Sequence, residues 1–291
     1  MTERLAGRIA IVTGGGQGIG AAIAQRFCEA GARVVIAQRN AEVGEAHAHG
    51  LRAAGHQALF VRADIAEHAE VDALVERTVE AFGPPDILVN NAGIGVFRDP
   101  LTMTDDDWRR CFAVDLDGAW YATRAVLPHM LALGRGSIVN VASNHAFQII
   151  PGCFPYPVAK HALIGMTRAL AVEYGARGVR VNAVCPAYIE TRASTDYWDT
   201  FPDPAAERAR AAGLHPLGRV GRPDEVAWPV LFLASDEASF VNGEALMIDA
   251  GMSVVVNGHG IPFVAGVGPS GVTPGLGPDT PAGGPAGSDG P

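Results

Sequence analysis

Seven short apolar runs recur along the chain: "RIAIVTG" (8–14), "RVVIAQ" (33–38), "ALFVRAD" (58–64), "DILVNNAG" (86–93), "GSIVNVAS" (136–143), "VRVNAVCP" (179–186) and "ALMIDAG" (245–251). Most are continuous in Val, Ile and Leu rather than alternating with polar residues, the pattern of strands covered on both faces. Between them, segments such as "GIGAAIAQRFCEAG" and "EVDALVERTVEAFG" space apolar residues three and four apart and close on glycine, which predicts helices. A long Ala/Leu/Val-rich helix is expected over 106–133, and another beginning near Tyr156. Strand–helix alternation implies right-handed crossovers, hence an α/β fold with a doubly wound parallel sheet. One domain spanning 1–256 is expected.

Two segments break this rhythm. Residues 187–222 are polar and aromatic where a strand should lead directly into a helix, and so long an excursion is expected to be a substrate lid. From Gly258 to the end, 18 of 34 residues are Gly or Pro, so residues 257–291 are expected to form a flexible tail. With 48% hydrophobic residues, the rest of the chain can build a sizeable core. The net charge of -9 argues against nucleic acid or an anionic membrane as partner. Cys28, Cys111, Cys153 and Cys185 match no zinc spacing, so no metal site is expected. The opening "MTERLAGRIAIVTGG" does not read as a signal peptide, and no run approaches the length of a membrane span. A cytoplasmic, reducing setting is the expectation.

Candidate chemistry gathers at two places. "TGGGQGIG" (13–20) opens directly from the first strand into a helix, where glycines let the backbone approach a pyrophosphate and the helix N-terminus offers unpaired N–H groups. "PYPVAK" (155–160) sets Tyr156 and Lys160 one helical turn apart on one face. A phenol with a reference pKa of about 10 is a poor base near neutrality, and an adjacent cation favours the phenolate. Pro157 suits the first helical position, which places Tyr156 at the helix entrance and adds the helix dipole. Reaching about 7 requires roughly 4 kcal/mol, to be shared among the lysine, the dipole and an oxidised nicotinamide.

The glycine spacing, "NNAG" (90–93), Ser143 thirteen residues before Tyr156, the Tyr-x-x-x-Lys pair, "PAYIET" (186–191) and the segment from Gly218 to Gly251 occur in order. Together they resemble the short-chain dehydrogenase/reductase family over about Leu5 to Ser253. The resemblance implies a Rossmann-type fold and hydride transfer between a nicotinamide cofactor and a small alcohol or carbonyl compound. It implies that Tyr156 is the acid/base, Lys160 its partner and a ribose ligand, and Ser143 the hydroxyl holding the substrate oxygen. Cofactor contacts are implied for Gly14, Gln17, Gly18, Ile19, Gly20, Asp64, Ile65, Asn91, Ala92, Gly93, Pro186, Ile189 and Thr191. Asn90 would border the cofactor and steady the central strands.

The chain departs from that pattern at Asp115, where the family usually has asparagine holding a water next to the lysine. An aspartate accepts but offers no amide donor, and it carries charge. It either pairs with Lys160 and weakens the field on Tyr156, or leaves the relay to the backbone carbonyl; Asp115 is retained as a catalytic candidate. Ala187 and Ala250 replace two glycines, so those turns are expected to differ slightly. After the second strand Gln38 takes the acidic position of NAD-type chains and Arg39 follows, which suits a 2′-phosphate; NADP is preferred, with NAD possible.

For the substrate, His145, Tyr188 and Trp198 are candidates, with Asn144, Phe147, Gln148 and Tyr197 nearby. Aromatic faces with imidazole and amide edges suit a sugar or polyol. The main alternative is a 3-oxoacyl-thioester reductase, for which Arg98, Arg192 and Arg219 would supply positive charge; a non-catalytic nucleotide-binding regulator is the other. A homotetramer is expected from the resemblance.

Overall fold

The seven apolar runs all form strands in the computed structural model, which describes residues 3–255. The strands are β1 (Ile9–Thr13), β2 (Arg33–Gln38), β3 (Ala58–Arg62), β4 (Ile87–Asn90), β5 (Gly136–Val141), β6 (Val179–Pro186) and β7 (Ala245–Ile248). They make one parallel sheet in the order β3-β2-β1-β4-β5-β6-β7. The order reverses between β1 and β4, and at such a switch point the crevice outside the strands' C-terminal ends takes the ligand.

The continuous apolar runs are explained by the side-chain alternation of a strand. Ala10 and Val12 of β1, Val34 and Ile36 of β2, and Ile87 and Val89 of β4 enter one apolar layer. That layer packs on α1 (Gly18–Glu29) and on the C-terminal helix that carries Val226, Val230 and Leu231. Ile11, Val35 and Leu88, the residues between, enter a second layer on the opposite face. With helices on both faces, neither set can be polar.

The remaining helices are α2 (Ala41–Ala53), α3 (His68–Phe82), α4 (Asp105–Phe112), α5 (Gly118–Leu133), α6 (Tyr156–Tyr174), α7 (Arg192–Trp198), α8 (Pro204–Gly213) and α9 (Pro223–Ala234). The second apolar layer is filled by Val71, Leu74 and Val75 of α3, Ala122, Val126 and Met130 of α5, and Leu170 of α6.

The helix expected over 106–133 runs without a break from Asp105 to Leu133, but it contains a π-helical turn, Ala113–Asp117, between α4 and α5, with Asp115 at its centre. One wide turn inside a continuous helix leaves no mark in the sequence pattern. The excursion at 187–222 carries two short capped helices, α7 and α8. Thr191 caps α7 by accepting from the backbone N–H of Ser194, and Asp203 caps α8 by accepting from that of Ala206. The expected tail, 257–291, lies outside the described residues.

Candidate active site

The glycine loop joins β1 to α1 with Gly14 and Gly18 at positive φ, +65° and +55°. No side chain caps α1 at Gln17, and its first turn holds no acidic residue. Its N–H groups and positive dipole end are therefore available to an anion. Gly20 is demanded by packing: a Cβ there would lie 2.2 Å from the Gly14 carbonyl oxygen and 2.4 Å from Asn91 Nδ2. Across the loop, a Cβ on Gly18 would meet Thr191 Cγ2 at 3.3 Å, so the 187–222 excursion abuts the loop. An open backbone cradle at a helix N-terminus fits the pyrophosphate of a dinucleotide.

Sequence reasoning missed Thr13, which organises this cradle. Its hydroxyl accepts from the backbone N–H of Asn91 (3.0 Å) and of Ala92 (3.1 Å) and donates to the Val89 carbonyl (3.3 Å). Asn91 Nδ2 in turn donates to the Thr13 carbonyl at 2.9 Å and the Gly14 carbonyl at 3.3 Å. The Asn91 amide thus holds the loop to the end of β4. Asn90 turns inward instead, donating to Asn140 Oδ1 (2.9 Å), Thr123 Oγ1 (3.1 Å) and the Ala119 carbonyl (3.3 Å). Asn140 continues to Thr167 Oγ1 at 2.8 Å, so a polar chain crosses from α5 through β4 and β5 to α6.

The other cofactor candidates surround the same end of the sheet. Asp64 accepts from the Ala66 backbone N–H at 3.1 Å and lies 3.4 Å from Arg39, whose side chain is 68% exposed. Gln38 presses against the loop, since a Cβ on Gly16 would touch its Cγ at 3.2 Å. Gln17 is exposed on the loop and Ile19 half-buried beside it. Ile65 is buried, and a Cβ on Gly118 would meet its Cδ1 at 2.6 Å, so its side chain packs on α5. Pro186 closes β6 beside Ile248, and Ile189 is buried and bridged to Gly221.

Tyr156 is the first residue of α6 and Pro157 the second, one position later than the sequence suggested. Proline is harmless there for the same reason, because its missing N–H has no intrahelical acceptor. Lys160, one turn on and 3% exposed, sets its Nζ 5.4 Å from the phenol ring centroid. That Nζ also lies 3.1 Å from Asp115 Oδ1 and 3.4 Å from the Val141 carbonyl. A Cβ on Gly93 would reach Asp115 Oδ1 at 2.8 Å and Lys160 Nζ at 3.4 Å, so "NNAG" ends against this pair.

Asp115, 1% exposed, collects further donors: the Ile94 backbone N–H at 3.3 Å and the Cys111 thiol at 3.9 Å. The π-turn that carries Asp115 aims the carboxylate at α6. Burial pushes its pKa up, against the pull of Lys160. For Lys160 burial opposes the charge, but Asp115 and Tyr156 outweigh it and the ammonium is strengthened.

Tyr156 itself is shifted upward. Burial is the largest cause; Lys160 lowers it, Asp115 raises it, and the Ser143 hydroxyl lowers it. The expected lowering by Lys160 is therefore present but outweighed by burial, with Asp115 opposing it.

Ser143, also buried, follows β5 and donates to Asn144 Oδ1 at 3.2 Å while accepting from the His145 backbone N–H at 3.1 Å. The His145 ring stands edge-on to Tyr156, centroids 6.1 Å apart. Its Nδ1 lies 3.1 Å from the Gln148 carbonyl, which can only accept, so Nδ1 carries the proton and Nε2 is an acceptor. Burial lowers its pKa and keeps the ring neutral.

Phe97, which sequence reasoning missed, stands edge-on to both Tyr156 (5.7 Å) and Tyr197 (5.8 Å). A bridge between Phe97 and Pro155 ties it to the start of α6; only spatial proximity reveals it. Trp198 is not in this group. It is 2% exposed and packs with Ala211, Val220 and Tyr188 in a small core within the 187–222 excursion. An indole at the end of a short helix is the largest apolar group available to hold α7 on α8, and that need buries it. Tyr188 lines this core edge-on to His215 and takes a hydrogen bond from Arg210.

A family model described as "Enoyl-(Acyl carrier protein) reductase" matches residues 14–253. The chain belongs to the short-chain dehydrogenase/reductase family. Within this family it is 43% identical over 256 residues to the cis-4-hydroxycyclohexanecarboxylate dehydrogenase of Sinomonas cyclohexanicum, covering 88% of this chain and all of that one. A gluconate 5-dehydrogenase from Burkholderia cenocepacia, solved with NADP and tartrate, superposes with a TM-score of 0.82 at 37% identity. The match covers 87% of this chain and 98% of that one. The ligand-free aldohexose dehydrogenase of Thermoplasma acidophilum matches with a TM-score of 0.81 at 33% identity, covering 88% and 98%. The chain is thus a short-chain dehydrogenase/reductase that moves hydride between a nicotinamide cofactor and an alcohol or carbonyl compound.

Proposed function

We propose that Tyr156 exchanges the proton of the substrate oxygen, that Ser143 holds that oxygen, and that Lys160 tunes the phenol and grips the cofactor ribose. The observation that carries this reading is the meeting of Ser143, Tyr156 and Lys160 at the C-terminal end of β5. When bound, the nicotinamide supplies or accepts the hydride. The protein's residues orient the substrate and move its proton, the part for which a positioned acid/base contributes a factor of about 10² to 10⁴. Tyr156→Phe should lower kcat by at least that factor while leaving the dinucleotide dissociation constant within about twofold. Turnover retained in the variant would overturn the assignment.

The substrate we propose is a small alcohol or its carbonyl counterpart, with a sugar or polyol as the leading class. His145, neutral and with Nε2 as acceptor, suits a hydroxyl, and Phe97 and Tyr197 offer ring faces. Of the arginines considered for a thioester carrier, Arg219 is held by two hydrogen bonds to Glu225 (2.8 and 2.6 Å) and Arg98 pairs with Asp107 (3.2 Å), which leaves the exposed Arg192, 3.7 Å from Asp196, as a lone charge. Both structural neighbours carry the names of sugar or sugar-acid dehydrogenases, which supports the same class.

NADP is the preferred cofactor in this reading. Gln38 brings no carboxylate to the adenosine ribose, and the exposed Arg39 guanidinium is free to turn from Asp64 to a 2′-phosphate. kcat/KM should favour NADP over NAD by at least about tenfold, and Arg39→Ala should erase most of that ratio. Equal values with both cofactors in the wild type would remove the preference. A cytoplasmic homotetramer completes the proposal; the exposed Trp120 and Val172 on α5 and α6 are apolar surface consistent with subunit contacts.

A further inference from the structure

The proposed reading of Tyr156 leaves one buried charge without a task. Asp115 sits at the centre of the π-turn Ala113–Asp117, and its carboxylate lies 3.1 Å from the same ammonium that should favour a phenolate. Three kinds of donor converge on it: the Lys160 ammonium, the Ile94 backbone N–H and the Cys111 thiol. That set, led by an ammonium 3.1 Å away, is complementary to a carboxylate, which only accepts. An ammonium and a carboxylate at contact distance present little net charge to a third group a few ångströms further off.

Resting on that reading of Tyr156, we propose that Asp115 is a positioning residue that cancels the field of Lys160 and so holds Tyr156 in its protonated, proton-donating state through neutral pH. The consequence lies in the pH profile. Reduction of a carbonyl compound needs the phenol to donate a proton to the carbonyl oxygen, which takes up the C=O π pair as the hydride bonds to carbon, and the protonated form is the one in place. Oxidation of an alcohol needs the phenolate to accept the hydroxyl proton, and that form is scarce until the pH is raised. Oxidation should therefore keep gaining rate above neutrality, while the balance of the two directions at any one pH stays that of the overall equilibrium.

The titratable groups around the phenol agree with this arrangement. Lys160 is the cation within reach from α6 itself. Asp115 and Cys111 face it from the π-turn and α4; Cys111, with its thiol pushed up to about 12 by burial and then by Asp115, stays neutral. Ser143 and His145 face it from the segment after β5, and burial keeps His145 uncharged. Burial and Asp115 then raise the phenol while Lys160 and Ser143 lower it, and the balance is upward. The sign follows: removing the Asp115 charge leaves Lys160 uncompensated and stabilises the phenolate.

The test is the pH dependence of kcat/KM in both directions for the wild type and for Asp115→Asn, which keeps the shape of the side chain. In the wild type, oxidation of an alcohol substrate should still be rising above pH 8, whereas reduction of the matching ketone should be flat through neutrality. In Asp115→Asn the acid limb of oxidation should move down by about one pH unit. A limb that stays in place or moves upward overturns the proposal, and so does a wild type whose oxidation is already level at pH 7. The wild-type profile carries the test on its own if the variant does not fold. Thermal unfolding and dinucleotide binding of the variant, measured alongside, separate a loss of structure, which lowers rates without moving the limb. Tyr156→Phe keeps the two readings apart: if it remains active, the acid/base assignment fails; if it is inactive and the limb does not move, only the role of Asp115 fails.

Discussion

Ala250 holds φ at +53°, a left-handed conformation in which a Cβ crowds the following carbonyl. From sequence, the turn was expected to differ slightly at this alanine; Ala250 stands in a backbone region that glycine enters freely and alanine only with strain. Asp249 is the reason. Its carboxylate accepts from the backbone N–H of Gly251 (3.0 Å) and of Ser253 (2.7 Å), while its carbonyl accepts from Met252 (3.0 Å). These bonds deliver the segment to the active-site rim, where Gln148 Nε2 donates to the Ser253 carbonyl. Ala250→Gly should therefore stabilise the protein by roughly 0.5–1 kcal/mol, or about 2 °C in Tm, with activity unchanged. Calorimetry of the pair checks it, and an unchanged or lower Tm would show that the turn carries no strain. Single residues were also where the sequence spoke most clearly about the site: Tyr156, Lys160 and Ser143 were legible because a one-turn spacing and a strand end are local facts. Thr13 and Phe97 were not, because their importance lies in partners 76 or more residues and 58 or more residues away.

At the scale of elements, the excursion at 187–222 shows how short helices escape a periodicity reading. With seven and ten residues, α7 and α8 complete too few turns for an apolar period to emerge, although Thr191 and Asp203 are ordinary capping residues. The π-turn before α5 escaped for the opposite reason: one extra residue in a turn leaves composition unchanged. The far end of that excursion is anchored on α9 by Glu225, which accepts from both terminal nitrogens of Arg219 (2.8 and 2.6 Å) and from the Arg222 backbone N–H (2.8 Å). The Arg219 hydrogen bonds are the largest cause holding its pKa down to about 2. A carboxylate with a depressed pKa stabilises the fold above its ordinary value of 4.5, and the contribution is lost as pH falls through about 2. The pair lies near the surface, so Glu225→Gln should cost only about 0.5–1 kcal/mol at pH 7. Unfolding curves of variant and wild type should converge between pH 4.5 and pH 2, and a gap independent of pH would assign the effect to lost packing.

At the scale of the whole molecule, the parallel sheet was legible because burial on both faces removes polar residues from the strands, and seven uninterrupted runs survive in the sequence. Strand order was less directly written, since the return from β3 to β4 across the switch point depends on contacts that no local pattern records. The hydrogen-bonded chain Thr123–Asn90–Asn140–Thr167 belongs to this larger scale. It runs at right angles to the strands and fastens α5, which continues from the turn bearing Asp115, to α6, which bears Tyr156 and Lys160. Such a crossbar acts as a spacer gauge between the two helices. Substitutions in the surrounding apolar layers can alter how tightly the sheet is filled while the separation of carboxylate, ammonium and phenol stays put, so the chemistry is insulated from drift in the packing around it.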